Sequence, residues 1–106
     1  MSGLLYTKNI NTVVLDQYLE PEIMGNLIND KIHYIQRPEN LVLVNVPDTY
    51  KYRPERVARQ YYGHESFYPL ILAANNIGTI FHFIPSHFNN QLKMLKSEIV
   101  EQILGI

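Results

Sequence analysis

The chain has 106 residues, Lys+Arg 9 against Asp+Glu 10, and a formal net charge of -1. That length fits one domain able to bury roughly two-thirds of its unfolded surface, and the charge balance argues against a broad basic face for nucleic acid. With Cys 0 there is neither a disulfide framework nor thiolate chemistry. No apolar run approaches the roughly 20 residues that span a bilayer, and the start lacks the charged-then-apolar pattern of a secretion signal. Charged residues make up only 18%, while Tyr 8 and Phe 4 are plentiful. Tyrosine is enriched at interfaces, which adds weight to a binding or assembly role.

Residues 1–36 read as an N-terminal arm. Asn11 to Leu15 form a short β-like run, Asp16 can cap a helix, and Pro21 and Gly25 limit how far a regular element extends. Leu27, Ile28, Ile32 and Ile35 then recur at helical spacing, so one or two short helices are expected. Pro38-Glu39-Asn40 marks a turn before the clearest strand, residues 41–46. Val42, Val44 and Val46 share one face of it and Leu41 and Leu43 the other, which predicts that both faces are covered.

Residues 52–76 carry the least ambiguous start and stop signals. Pro54 suits the first position of a helix, and Glu55 complements the helix dipole in the first turn. Val57, Ala58, Tyr61 and Tyr62 line one face, and Gly63 fits a left-handed C-terminal cap. Ser66 can cap a second helix, with Pro69 in its first turn and Phe67, Leu70, Ile71 and Ala74 as its apolar stripe. Asn75, Asn76 and Gly78 end it. Helices this short need a sheet beneath them. Residues 80–84 read as the second strand, stopped by Pro85 and paired antiparallel with 41–46. Residues 89–104 read as a final amphipathic helix capped by Asn89 or Asn90. Its stripe is Leu92, Leu95, Ile99 and Ile103, broadened by Val100 and Leu104. That helix either folds back on its own core or docks on a neighbouring subunit. The divisions are thus 1–36, 37–88 and 89–106.

No catalytic pattern emerges, and no enzyme, cofactor or metal site is expected. His82 and His87 are five apart, not at the four-residue spacing of a helical zinc pair, and neither has an acidic ligand beside it. Asp48, Glu55 and Glu65 are not placed to converge. Ser66 and Ser86 lack a nucleophile elbow, and no phosphate-cradling glycine loop exists. Arg53, Arg56 and Arg59 lie three apart as a narrow basic strip, either a solvated face or a pairing site for an acidic neighbour. Tyr61 and Tyr62 are core or core-edge residues, unless a hydroxyl meets a partner.

Arg-Pro-Glu at 53–55, Val57-Ala58, Tyr61-Tyr62-Gly63, Phe67-Tyr68, Ile71-Leu72 and then Asn75 or Asn76 together resemble the LysM-like segment of baseplate wedge proteins from contractile-tail bacteriophages. The resemblance implies an α+β fold, a small LysM-like β-α-α-β core with an N-terminal arm and a C-terminal amphipathic helix. It further implies a virion protein of the tail baseplate, assembled in the host cytoplasm in several copies. As an adaptor it would join other wedge proteins and hub or tube-proximal parts. Carbohydrate-binding LysM domains usually have a Gly-Asp-Thr lead-in and a Pro-Gly-Gln turn. Here the lead-in is Pro47-Asp48-Thr49 and the Pro-Gly-Gln turn is absent. Binding of peptidoglycan or N-acetylglucosamine oligomers is therefore the alternative. By the resemblance its groove would lie near residues 47–52 and 76–81. Partner contacts are expected from both flanks, with Leu92, Leu95, Ile99 and Ile103 on the final helix and Arg53, Arg56 and Arg59 on the first helix of the pair.

Overall fold

The computed structural model describes residues 21–104. Helix α1 (Pro21–Ile35) leads through a short turn to strand β1 (Leu41–Asn45). Helices α2 (Pro54–Tyr62) and α3 (Tyr68–Ala74) follow, then strand β2 (Gln91–Leu95) and helix α4 (Ser97–Leu104). The fold is α+β, with β1 and β2 in one antiparallel sheet that brackets the helical pair. The run Asn11–Leu15 and the cap at Asp16 lie outside the described residues.

The helical pair forms where its signals place it. Pro54 sits in the first turn of α2, and Gly63 ends the helix at φ 90, donating its N–H to Arg59 O at 3.0 Å. Only glycine adopts that conformation without a Cβ penalty. The cap of the next turn differs from expectation. His64 Nδ1, not the Ser66 hydroxyl, accepts the Ser66 N–H at 3.1 Å, and a short 3₁₀ turn precedes α3. Pro69 then occupies the first turn of α3, and Asn76 leaves the helix at φ 56.

The second strand is not where the apolar run predicts it. Residues Ile80–His82 form a 3₁₀ turn, and the ladder goes to Gln91–Leu95. Val42 faces Met94 and Val44 faces Leu92, with Leu92 and Met94 fully buried. The expected helix over 89–104 is therefore a strand followed by the shorter α4. Asn89 and Asn90 do not cap a helix. Both are left-handed, at φ 56 and 59, a region that asparagine tolerates, and they turn the chain into β2. Asn90 then extends the ladder by one pair. It accepts Val46 N–H at 2.8 Å on its backbone oxygen and donates its side-chain amide to Val46 O at 2.9 Å.

The described parts of the flanks, α1 and α4, belong to the core. One cluster of buried side chains runs from Met24, Ile28 and Ile35 through Val57, Tyr62, Phe67 and Ile71 to Leu92, Met94, Val100 and Leu104. Gly25 does not interrupt α1, which continues to Ile35. Polar ties hold α1 in place: Gln36 Nε2 reaches Ala73 O at 3.0 Å, and Tyr34 OH reaches Gln102 Oε1 at 3.0 Å. Asn40, buried, donates to Tyr34 O at 2.8 Å. By contrast, β1 is not covered on both faces. Leu43 on one face is 58% exposed and Val42 on the other is 37% exposed, while Val44, Val46 and Leu95 are buried.

Two consequences are measurable. Leu92→Ala, on a residue the helical reading places at a docking face, is expected to lower unfolding free energy by about 2–5 kcal/mol in urea titrations. Tyr62 OH donates to Leu95 O at 2.8 Å inside the core, so Tyr62→Phe orphans that carbonyl at a cost of about 1–3 kcal/mol. Burial, with the neighbouring phenol of Tyr61 second, raises the Tyr62 pKa well above the ordinary tyrosine value. A raised folded-state value means that this stability is intact below about pH 10 and falls as pH climbs toward the folded value. The alkaline decline should be shallower in Tyr62→Phe.

Candidate protein-binding surface

The register fixes which backbone groups each strand turns outward. Val46 pairs with Asn90, and Lys96 donates to Asn40 O at 3.1 Å. Even-numbered residues of β1 therefore bond to β2, while Leu41, Leu43 and Asn45 face away, as do Gln91, Lys93 and Leu95 on β2. On the β2 side the helical pair closes that outer edge at Lys93 and Leu95. The Asn75 side-chain amide accepts the Lys93 N–H at 2.8 Å and donates to Lys93 O at 2.8 Å, mimicking a strand residue. It also donates to Ile71 O at 2.8 Å, satisfying a carbonyl at the end of α3. Tyr62 supplies the next bond, to Leu95 O. Sequence reasoning saw Asn75 only as a helix cap. Nothing local marks its second role, which depends on where β2 lies.

Around the other end, the loop after β1 is fastened to the loop before β2. Tyr52, at φ 63, donates its N–H to Phe83 O at 2.8 Å, and Asp48 Oδ1 accepts the Ser86 N–H at 3.2 Å. These are the loops between which a saccharide groove is expected. The second loop is long, spanning 75–90, rather than the short connection that a strand at 80–84 requires. The direct bonds join the loop after β1 to Phe83 and Ser86, just beyond the 76–81 stretch where the groove is expected. What they leave outward is apolar: Phe81 is 72% exposed, and Tyr52 and Ile80 are exposed as well. Lys51 Nζ lies 5.2 Å from the Tyr52 ring centre, a cation–π distance.

The expected site residues divide. Arg53, Arg56 and Arg59 are exposed along α2. Arg53 pairs with Glu55 at 3.7 Å, and Arg59 pairs with Glu65 across the Gly63 corner. The Arg59 hydrogen bond and charge lower the Glu65 pKa. That pairing strengthens folding above the ordinary carboxylate range and is lost as pH falls, weakly because the pair is exposed. Arg56 and Arg59 border a polar hollow with Thr49, Tyr50 and Gln60. Leu92 and Leu95 are fully buried and cannot dock a partner, while Ile99 and Ile103 are half-buried against the core. The reason is that α4 begins only at Ser97. Of the motif residues, Val57, Ala58, Tyr61, Tyr62, Phe67 and Ile71 are buried, and Tyr68 and Leu72 are half-buried. Asp48, Glu55 and Glu65 each bond a different neighbour and do not converge. Among the described residues no three His, Asp or Glu side chains gather as metal ligands, and no helix is long and apolar enough to cross a membrane.

Comparison with protein-family models, with curated proteins and with solved structures finds no match. Asn75→Ala should free the Lys93 amide, whose partner is a side chain. Hydrogen exchange at Lys93 is expected to accelerate far more than at Leu92 and Met94, with a global stability loss of about 1–3 kcal/mol.

Proposed function

We propose that the chain is a non-catalytic structural subunit of a contractile-tail baseplate wedge, a LysM-like adaptor that binds neighbouring proteins. The observation that carries this reading is the junction of the two loops. Tyr52 N–H to Phe83 O and Ser86 N–H to Asp48 Oδ1 fasten the two loops together, and Tyr52, Ile80 and Phe81 face outward. An exposed aromatic knob on a braced loop is suited to a pocket on another protein, where aromatic anchors carry much of the binding free energy. The 52–76 motif carries the resemblance, and most of its apolar residues hold the helical pair on the sheet. Leu92 and Leu95 are not among the contacts. The exposed arginines of α2 remain available to acidic neighbours, Arg56 foremost because Arg53 and Arg59 already have internal partners.

Mass spectrometry of contractile particles produced from the genome that encodes the chain is expected to find it in the baseplate fraction. Phe81→Ser should reduce its incorporation without unfolding the isolated protein. Absence from such particles would contradict the assignment. Calorimetric titration with N-acetylglucosamine oligomers should give no heat of binding, and affinity of about 1 mM or tighter would replace the adaptor with a saccharide module.

A further inference from the structure

We propose that two copies of the chain join edge to edge along β1, making a four-stranded antiparallel sheet with a two-fold axis at Leu43. The starting point is an asymmetry between the two edges. Asn75 and Tyr62 cap both backbone groups of Lys93 and the Leu95 carbonyl on β2, but no described residue bonds to Leu43 N–H or C=O, to Asn45 N–H or C=O, or to Leu41 O. Leu41 N–H alone is used, by Pro38 O. Natural edges are blunted by charge, proline or a bulge. The sequence of β1, LVLVN, has no charge and no proline, and its register runs unbroken.

The strand is complementary to itself. Its outward residues 41, 43 and 45 are symmetric about 43, so a two-fold axis there sets Leu43 opposite Leu43 and Leu41 opposite Asn45 of the second copy. Leu43 then donates to and accepts from its counterpart, and each Asn45 N–H reaches the other copy's Leu41 O. The exposed side chains gain neighbours in the same step. The two Leu43 side chains meet on the outer face, and Val42 comes to lie beside Val44 of the second copy on the inner face. A groove of about 210 Å³ along this edge, lined by Gln36, Pro38, Leu41, Val42, Leu43 and Lys93, receives the second copy's Asn45 end.

Charge favours the same occupant. No charged residue of one β1 faces another. The nearest like charges, the two Lys93 side chains, stand opposite Leu43 on the far strands, about 14 Å apart at the usual strand spacing and beyond a Debye length. Because β2 is capped at Lys93 and at the Leu95 carbonyl, β1 is the one open edge among the described residues, so association closes at two copies instead of growing into a filament. Five paired residues on each side bury less than a standard interface of about 1,200 Å² or more. The dimer is accordingly weak, with a dissociation constant on the order of 0.1 mM. It would form in any setting that concentrates the chain.

Sedimentation of the full chain from about 10 µM to 1 mM is expected to show a reversible monomer–dimer equilibrium. Leu43→Lys, which sets two ammonium groups against each other at the axis, should raise the dissociation constant about tenfold or more. Cysteine scanning locates the contact, since the chain has Cys 0. Under mild oxidation Leu43→Cys should cross-link two copies, the Cα atoms being about 5.5 Å apart. Asn45→Cys should not, because the two cysteines would lie about 14 Å apart along the strands. Circular dichroism confirms that each variant is folded. A monomer throughout, leaving the edge to a different occupant, would overturn the proposal. Equal cross-linking at 43 and 45, or undiminished association of Leu43→Lys, would do the same.

Discussion

Two side chains stand in for a third strand, and the rest of the molecule depends on them. Tyr62 from the end of α2 and Asn75 from the end of α3 together satisfy Leu95 O and both backbone groups of Lys93. A strand edge buried under helices without such partners would leave several polar groups unpaired, each costing about 1–3 kcal/mol. With them, β2 can lie beneath the helical pair, and the ladder to β1 places Val44, Leu92 and Met94 in one apolar layer. No buried side-chain nitrogen or oxygen of a described residue lacks a partner.

That arrangement decides what the surface offers. Once β2 is the inner strand, capped at Lys93 and Leu95, β1 is the edge that no described residue covers, and Leu43 and Val42 are exposed on it. Once the chain must travel from Asn75 to Gln91 before entering β2, its long connection folds against the loop that follows β1. Tyr52 and Asp48 hold it there, and Phe81 is left outside. The two apolar regions are by-products of a single packing choice, yet they differ in kind. One is a backbone edge suited to strand addition; the other is a side-chain knob suited to a pocket. The described parts of the flanks, expected to reach outward, pack on the core, with α1 and α4 tied to each other through Tyr34 and Gln102.

Much of this was legible where the signal is local. Pro54, Gly63 and the burial of Val57, Ala58, Tyr61 and Tyr62 follow from helical spacing and backbone preference alone. Strand β1 is announced by its β-branched run. The segment Gln91–Leu95 was misread because QLKML satisfies both periods: Leu92 and Met94 alternate as in a strand, while Leu92, Leu95 and Ile99 repeat as in a helix. Five residues cannot separate the two. The tandem Asn89-Asn90 was the available clue, as a turn signal rather than a cap. Residues 80–84 erred the other way, since an apolar run before proline has strand composition but gained no ladder partner once β1 was taken. The roles of Asn75 and Tyr62 as edge caps could not be read at all without knowing which segment forms β2.

The most direct test of this account is native-state hydrogen exchange across the isolated chain. If β2 is locked under the helical pair as part of one core, the Leu92 and Met94 amides will exchange only by the same global opening that exposes the α2 amides, with equal free energies and equal denaturant dependence. Exchange of residues 91–104 as a separate, less stable unit, with a continuous helical pattern of protection from 91 onward, would contradict it.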